Sequence, residues 1–217
     1  MKQRIIMLSS PKGGVGKSSL ARNILVLAAR SSRLVAGIDF DRQATLTTWA
    51  QRRERVRSAI PEVSSILVEP YALGDWRSAL QKVRSTDAEI VVIDTPPSIE
   101  LNLTAIVSLS RETDLILVPC QQTQDDVDSA GPWMTRLLKM IVRASFVLNR
   151  SNRRAKSFCA IRAKLLSIGP VCPVEVPQRE EISLAAGKGL GVMDLTRPSS
   201  GETFDNLWSF VMREIGL

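Results

Sequence analysis
A chain of 217 residues with 44% hydrophobic and 24% charged residues can bury a full core, and its length is usual for one α/β domain, so a single domain over residues 1–217 is expected. The absence of histidine excludes imidazole as base or metal ligand, and the three scattered cysteines Cys120, Cys159 and Cys172 exclude a C-x-x-C metal site and read as reduced core thiols. The early apolar run Ile5 to Leu8 is too short for a signal-peptide core and no stretch approaches the roughly 18 apolar residues of a membrane span, so a cytoplasmic protein is expected.

Residues 3–9 are predicted as the first strand, with Arg4-Ile5-Ile6-Met7-Leu8 as a buried run, and 17–30 as a helix with Leu20, Ile24, Leu25 and Ala28 apolar. Between them lies Pro11-Lys12-Gly13-Gly14-Val15-Gly16-Lys17-Ser18-Ser19. Strand, glycine loop and helix are the order that triphosphate binding requires. Glycines let backbone N–H groups converge on phosphate oxygens without interference from Cβ, and the helix start adds a positive end. Lys17 is then placed to reach the β- and γ-phosphates of ATP and the Ser18 hydroxyl to ligate Mg²⁺, with Gly13, Gly14, Val15, Gly16 and Ser19 completing the cradle. The general pattern G-x-x-x-x-G-K-[ST] has Gly where this chain has Pro11.

Further strands are predicted near 33–39, 64–69, 88–94, 114–119, 144–149 and 173–176. Helices are predicted near 43–58, 74–84, 101–109, 126–142, 154–167, 179–187 and 202–215. The alternation implies an α/β fold: a mainly parallel twisted sheet flanked by helices on both faces, with ligands at the carboxyl ends of the strands. Lys17, Asp39, Asp41 and Asp94 all fall at or just past those ends. Asp94 closes an apolar strand, where an ionised carboxylate needs a cationic partner such as the Mg²⁺ of a nucleotide. Asp39 and Asp41 flank Phe40 and point the same way in an extended segment; for Asp39 a plain acidic turn stays open.

Lys12, together with the loop that follows it, matches the K-G-G-x-G-K-[ST] variant of the deviant Walker ATPases, and the chain resembles the ParA/MinD family. Val35-Ala36-Gly37-Ile38-Asp39-Phe40-Asp41-Arg42-Gln43 resembles that family's D-x-D-P-Q switch, with Arg42 where Pro is usual. Ile90-Val91-Val92-Ile93-Asp94-Thr95-Pro96-Pro97-Ser98 resembles its Walker B strand and turn, and Leu115 to Pro119 followed by Asp126 its next strand and loop. The likeness is strongest for the short ParF-type plasmid partition ATPases, through Leu46-Thr47-Thr48-Trp49. By this resemblance Asp41 orients the attacking water, Asp39 and Asp94 support the metal with Ser18, and Lys12 reaches the nucleotide of a second subunit, making ATP the joint of a homodimer. A solvated lysine is the alternative for Lys12. Asn149 and Pro177, beside Arg150 and Gln178-Arg179, correspond to the places that frame the base, with Asn149 the better candidate to pair with an adenine edge.

Charge is the second signal. Between Asp128 and Glu175 there is no acid, while Arg136, Lys139, Arg143, Arg150, Arg153, Arg154, Lys156, Arg162 and Lys164 are all basic. This predicts a polyanion partner, with Arg150, Arg153, Arg154, Lys156, Arg162 and Lys164 as candidate contacts to DNA phosphates irrespective of sequence; a merely soluble basic surface is the alternative. Arg52, Arg53, Arg55 and Arg57, interrupted by Glu54, read as a solvated helix face. The resemblance then implies a nucleoid-associated ATPase that binds nonspecific DNA as a dimer, answers to a ParB-like or cargo adaptor, and segregates a plasmid, chromosome or other cargo. A MinD-like membrane-cycling ATPase and a P-loop metabolic enzyme or reductase partner are the competitors. Against the first, Phe204, Leu207, Trp208, Val211 and Ile215 read as the core face of a docked helix, not a basic membrane anchor.

Overall fold
The computed structural model describes residues 3–217. Strand β1 (Arg4–Leu8) alternates Ile5 and Met7 toward one face with Ile6 and Leu8 toward the other, all buried. A strand apolar on both faces belongs in the middle of a covered sheet. The other strands are β2 (Val35–Asp39), β3 (Leu67–Pro70), β4 (Ile90–Asp94), β5 (Leu115–Cys120), β6 (Ala144–Ser151) and β7 (Val176–Pro177). They form one parallel sheet in the order β3-β2-β4-β1-β5-β6-β7.

Parallel neighbours need long crossovers, and helices supply them. Helices α1 (Lys17–Arg30), α2 (Thr45–Ala59) and α8 (Gly201–Ile215) pack with Ile6, Leu8, Val92 and Leu117 on one face. Helices α3 (Trp76–Arg84), α4 (Leu103–Ser110), α5 (Gln124–Lys139) and α6 (Ser157–Ile168) cover Ile5, Met7, Ile93 and Val118 on the other; α7 (Glu180–Gly187) follows β7. The α8 residues Phe204, Leu207, Trp208, Val211 and Ile215 are buried in the first of these layers, as a docked helix requires. Among the described residues no helix is long and apolar enough to cross a membrane.

Three departures from the sequence reading have local causes. The edge strand is two residues at 176–177 in place of 173–176, because Pro170, Pro173 and Pro177 lack the N–H groups a ladder needs; Cys172 and Pro170 pair with Phe146 before the register shifts. Helix α5 begins two residues early, because the Thr123 hydroxyl accepts from the Asp126 N–H at 3.2 Å and caps it. Cys159 is exposed, unlike the buried Cys120 and Cys172, because α6 buries only Ile161 and Leu165.

Candidate functional site
The register puts Leu8, Asp39 and Asp94 level with one another at the carboxyl end of the sheet. The chain leaves β1 there through buried Ser9 and Ser10, and the loop from Pro11 to Gly16 wraps back into α1. Gly14 at φ 76° and Gly16 at φ 96° occupy left-handed conformations that residues with a Cβ rarely adopt. The Lys17 side chain is folded under the loop, where its Nζ donates to the carbonyls of Ser10 (3.2 Å) and Lys12 (3.1 Å). Burial pulls its pKa below the ordinary lysine value, against the opposing charges of Asp94 and Asp41.

Asp94 is fully buried and neither carboxylate oxygen has a hydrogen bond. Burial pushes its pKa up to about 7; the nearby Ser18 hydroxyl and Lys17 oppose the shift, and Asp39 and Asp41 add to it. The Ser9 and Ser10 hydroxyls are likewise buried without partners. Such a group of unsatisfied polar atoms is what a bound cation and phosphate would complete. Among the described residues no three His, Cys, Asp or Glu side chains form a metal cage, so a Mg²⁺ here would take Ser18, phosphate oxygens and water, with Asp94 behind them. The residues fit that ion as the companion of a nucleotide.

Asp39 and Asp41 divide differently from the expected parallel pair. Asp39 is 1% exposed, and its oxygens accept from the Asp41 N–H (3.0 Å), the Thr47 N–H (2.9 Å) and the Thr47 hydroxyl (3.0 Å). It therefore organises the β2–α2 turn and could serve a metal only from behind. Asp41 is half-buried and accepts one bond, from the Gln43 N–H at 3.0 Å, which leaves it the less constrained carboxylate of the two.

Lys12 lies outside the cradle and partly exposed: its ammonium is bonded to Asp126 in the first turn of α5, and that bond raises its pKa. Asp126, 3% exposed, also accepts from the Gln121 N–H at 2.8 Å, and Gln121 donates to the Gly14 carbonyl at 2.9 Å. The β5–α5 turn thus grips the loop twice. Asn149 departs from the expected base contact, since it lies buried beneath the loop with Nδ2 donating to the Val15 carbonyl at 2.7 Å. A Cβ on Gly16 would come within 2.2 Å of that nitrogen. Pro177 instead lines an open cleft of about 940 Å³ at the ends of β6 and β7, with Asn152, Arg154, Gln178 and Arg179.

The basic block does not form one surface. Arg143 precedes β6 and Arg150 lies near its far end, and eight strand residues span about 26 Å, so Arg136, Lys139 and Arg143 lie at the opposite end of the sheet from the rest. Arg153 and Arg162 both fold onto Glu175, a 7% exposed acid, with Nε–O distances of 3.0 Å, and Lys164 bonds Gln124. Arg153 and Lys164 stay exposed although paired, whereas Arg150, Arg154 and Lys156 are exposed with no salt bridge among the described residues.

Two arginines were not legible as site residues. Arg53, read as part of a solvated face, is 1% exposed and bidentate to Asp194. Arg22 stands one turn beyond Ser18 on α1, mostly buried with its Nε unpartnered; burial lowers its pKa to about 10 against the attraction of Asp94. Its spacing of four from Ser18, on the same helix face, was the available signal.

A glycine loop between a central parallel strand and a helix, with a buried strand-end carboxylate beside it, defines a P-loop nucleotide-binding protein. Residues 6–192 match the CobQ/CobB/MinD/ParA nucleotide binding domain, and the chain belongs to that family. It is 25% identical over 202 residues to the maintenance of carboxysome distribution protein A of Halothiobacillus neapolitanus, covering 88% of this chain and 87% of that protein. Its fold superposes with a TM-score of 0.76 at 18% identity on a Borrelia burgdorferi B31 protein assigned to plasmid partition and bound to AMPPNP, covering 98% of this chain and 100% of that one. The MinD cell division protein of Aquifex aeolicus gives a TM-score of 0.75 at 18% identity, covering 97% of each chain.

Proposed function
We propose that the chain is a ParA-type positioning ATPase that closes into an ATP-dependent homodimer, binds duplex DNA without sequence preference, and is released when an adaptor stimulates hydrolysis. The observation that carries the nucleotide reading is Asp94: a fully buried carboxylate without a hydrogen bond, beside Ser18 and Lys17. Asp94 and Ser18 would hold a Mg²⁺ bound with ATP, which would supply the positive charge that this carboxylate lacks. Lys17 would exchange the carbonyls of Ser10 and Lys12 for phosphate oxygens, and the N–H groups from Gly13 to Ser19 would line the triphosphate. Asp41, the less constrained switch carboxylate, would orient water. Asp39 would hold the turn.

Lys12 supports the dimer reading. Its ammonium is already committed outside its own cradle, 42% exposed at the rim, so exchanging Asp126 for a second subunit's phosphate requires no rebuilding of the loop. The relatives named for partition and carboxysome distribution support a positioning role, with the cargo left to the adaptor. The apolar face of α8 is buried in the core, so that helix is not itself free to lie in a membrane surface. Arg150, Arg154 and Lys156 are the exposed cations that would meet phosphates.

Light scattering with Mg-ATP tests the scheme. Asp41→Ala should accumulate a long-lived dimer by slowing water attack, and Lys12→Ala should remain monomeric. The same monomer fraction in both variants would contradict it.

A further inference from the structure
The turn Gly189–Asp194 is wedged between the phosphate-loop helix and the switch helix. A Cβ on Gly189, whose φ is 75°, would lie 2.4 Å from the Arg53 nitrogen of α2, and one on Gly191 would lie 2.8 Å from Val26 of α1. Polar contacts bind the turn on both sides. Toward α1, the Val192 N–H donates to Asn23 Oδ1 at 2.8 Å, and Asn23 Nδ2 donates to the Ser19 carbonyl at 2.8 Å. Toward α2, Trp49 Nε1 donates to the Leu190 carbonyl at 3.1 Å. Arg53 donates to Asp194 at 2.6 and 3.3 Å, and its guanidinium lies 5.5 Å from the Trp49 ring centre. Asp194 in turn accepts from the Gly191 N–H at 2.8 Å, which closes the turn on itself.

This strut ends at the switch. Thr47, two residues before Trp49, is held by both its N–H and its hydroxyl to Asp39, whose other oxygen holds the Asp41 N–H. A helix transmits an axial shift along its whole length, so the position of α2 at Trp49 and Arg53 sets the position of the Asp39–Asp41 turn relative to α1 and its phosphate loop.

We propose that Arg53 is a positioning residue for hydrolysis: through Asp194 and the Gly189–Asp194 turn it fixes the switch helix against the phosphate-loop helix and so places Asp41. The proposal rests on the reading of Asp41 as the water-orienting carboxylate, and it assigns a role to a cluster that touches neither nucleotide nor metal. A buried ion pair of this kind is weak evidence for stability but well suited to fixing a register.

The test replaces both charges together, Arg53→Met with Asp194→Asn, since removing one would leave the other buried and unpaired. The introduced amide still accepts from the Gly191 N–H. In the full chain, AMPPNP affinity should stay within about threefold of the original while the single-turnover hydrolysis rate falls about tenfold or more, and amide exchange over residues 46–49 should accelerate. Arg53→Lys alone, which keeps a cation beside Asp194, should recover most of the rate. An unchanged rate, or a rate lost only in proportion to AMPPNP affinity or folded fraction, overturns the proposal. If the double variant does not fold, Trp49→Phe decides: it removes the bond to the Leu190 carbonyl and part of the buried ring beside Arg53 while keeping the Arg53–Asp194 pair, and an unchanged rate there overturns the proposal as well. Failure of the unmodified chain to bind AMPPNP would instead refute the nucleotide reading.

Discussion

Replacing Asp94 by Asn should stabilise the ligand-free protein, by an amount that grows as pH rises from about 4 to about 7 and is then constant. In the fold the Asp94 carboxyl holds its proton up to about pH 7, whereas the ordinary value is 3.8. The advantage of the protonated form is therefore complete below 3.8, declines steadily as pH rises from there, and is fully lost above about 7, where the buried group must ionise. A gap of that size corresponds to at most about 4 kcal/mol, at about 1.36 kcal/mol per pH unit. The introduced amide is itself left without a partner, at a cost of about 1–3 kcal/mol that the protonated acid largely shares. A net gain of about 1–3 kcal/mol at pH 8 is expected, or several degrees in Tm at about 2–4 °C per kcal/mol for a chain of this size. Urea unfolding of both proteins from pH 4 to pH 8 measures it: the curves should lie closest at pH 4, separate progressively as pH rises, and run parallel once the pH has passed about 7. Mg-ATP should then raise the stability of the original protein more than that of the variant, because the cation answers the charge the variant lacks. A variant equally destabilised at pH 5 and pH 8 would refute the view of Asp94 as a buried, unanswered charge.

Lys17→Ala should abolish the thermal shift produced by Mg-ATP, and an undiminished shift would remove the phosphate-cradle assignment. Gly16→Ala should cost about 1–3 kcal/mol in chemical denaturation, because its φ of 96° is strained for alanine and the new methyl meets the Asn149 amide; pairing it with Asn149→Ala should recover the steric part. On nonspecific duplex, Arg154→Glu with Lys156→Glu should weaken ATP-dependent binding for every sequence alike and flatten its salt dependence by about 0.9 for each phosphate no longer neutralised. Glu175→Gln, by releasing Arg153 and Arg162 from their shared acid, should tighten the same binding, and gel shifts at two salt concentrations read both effects.

What the sequence carried and what it withheld divide along a physical line. The glycine loop, the Asp39–Asp41 turn and the strand-end carboxylate were readable as local features because each is a short segment whose chemistry is set by near neighbours: glycines that free the backbone, a lysine at the helix start, an acid at the close of an apolar strand. The layered fold was readable for the same reason, since alternation of Ile5, Ile6, Met7 and Leu8 shows a two-faced strand without reference to anything distant. The charged groups were misread wherever the partner lay far along the chain. Arg53 resembles its neighbours Arg52 and Arg55 until Asp194 is brought against it, and Arg153 and Arg162 count as free cations until Glu175 folds beneath them. Asn149 reads as a donor facing a ligand until the loop carbonyl of Val15 is found above it. A charge or an amide in a sequence states only what must be satisfied; the crossover connections of a parallel sheet decide by what. The alternate glycines Gly189 and Gly191 were a local sign that backbone passes unusually close to something there. Gly189 abuts α2 and Gly191 abuts α1, so the long-range contact hidden from the sequence is the one that ties the two halves of the nucleotide site together.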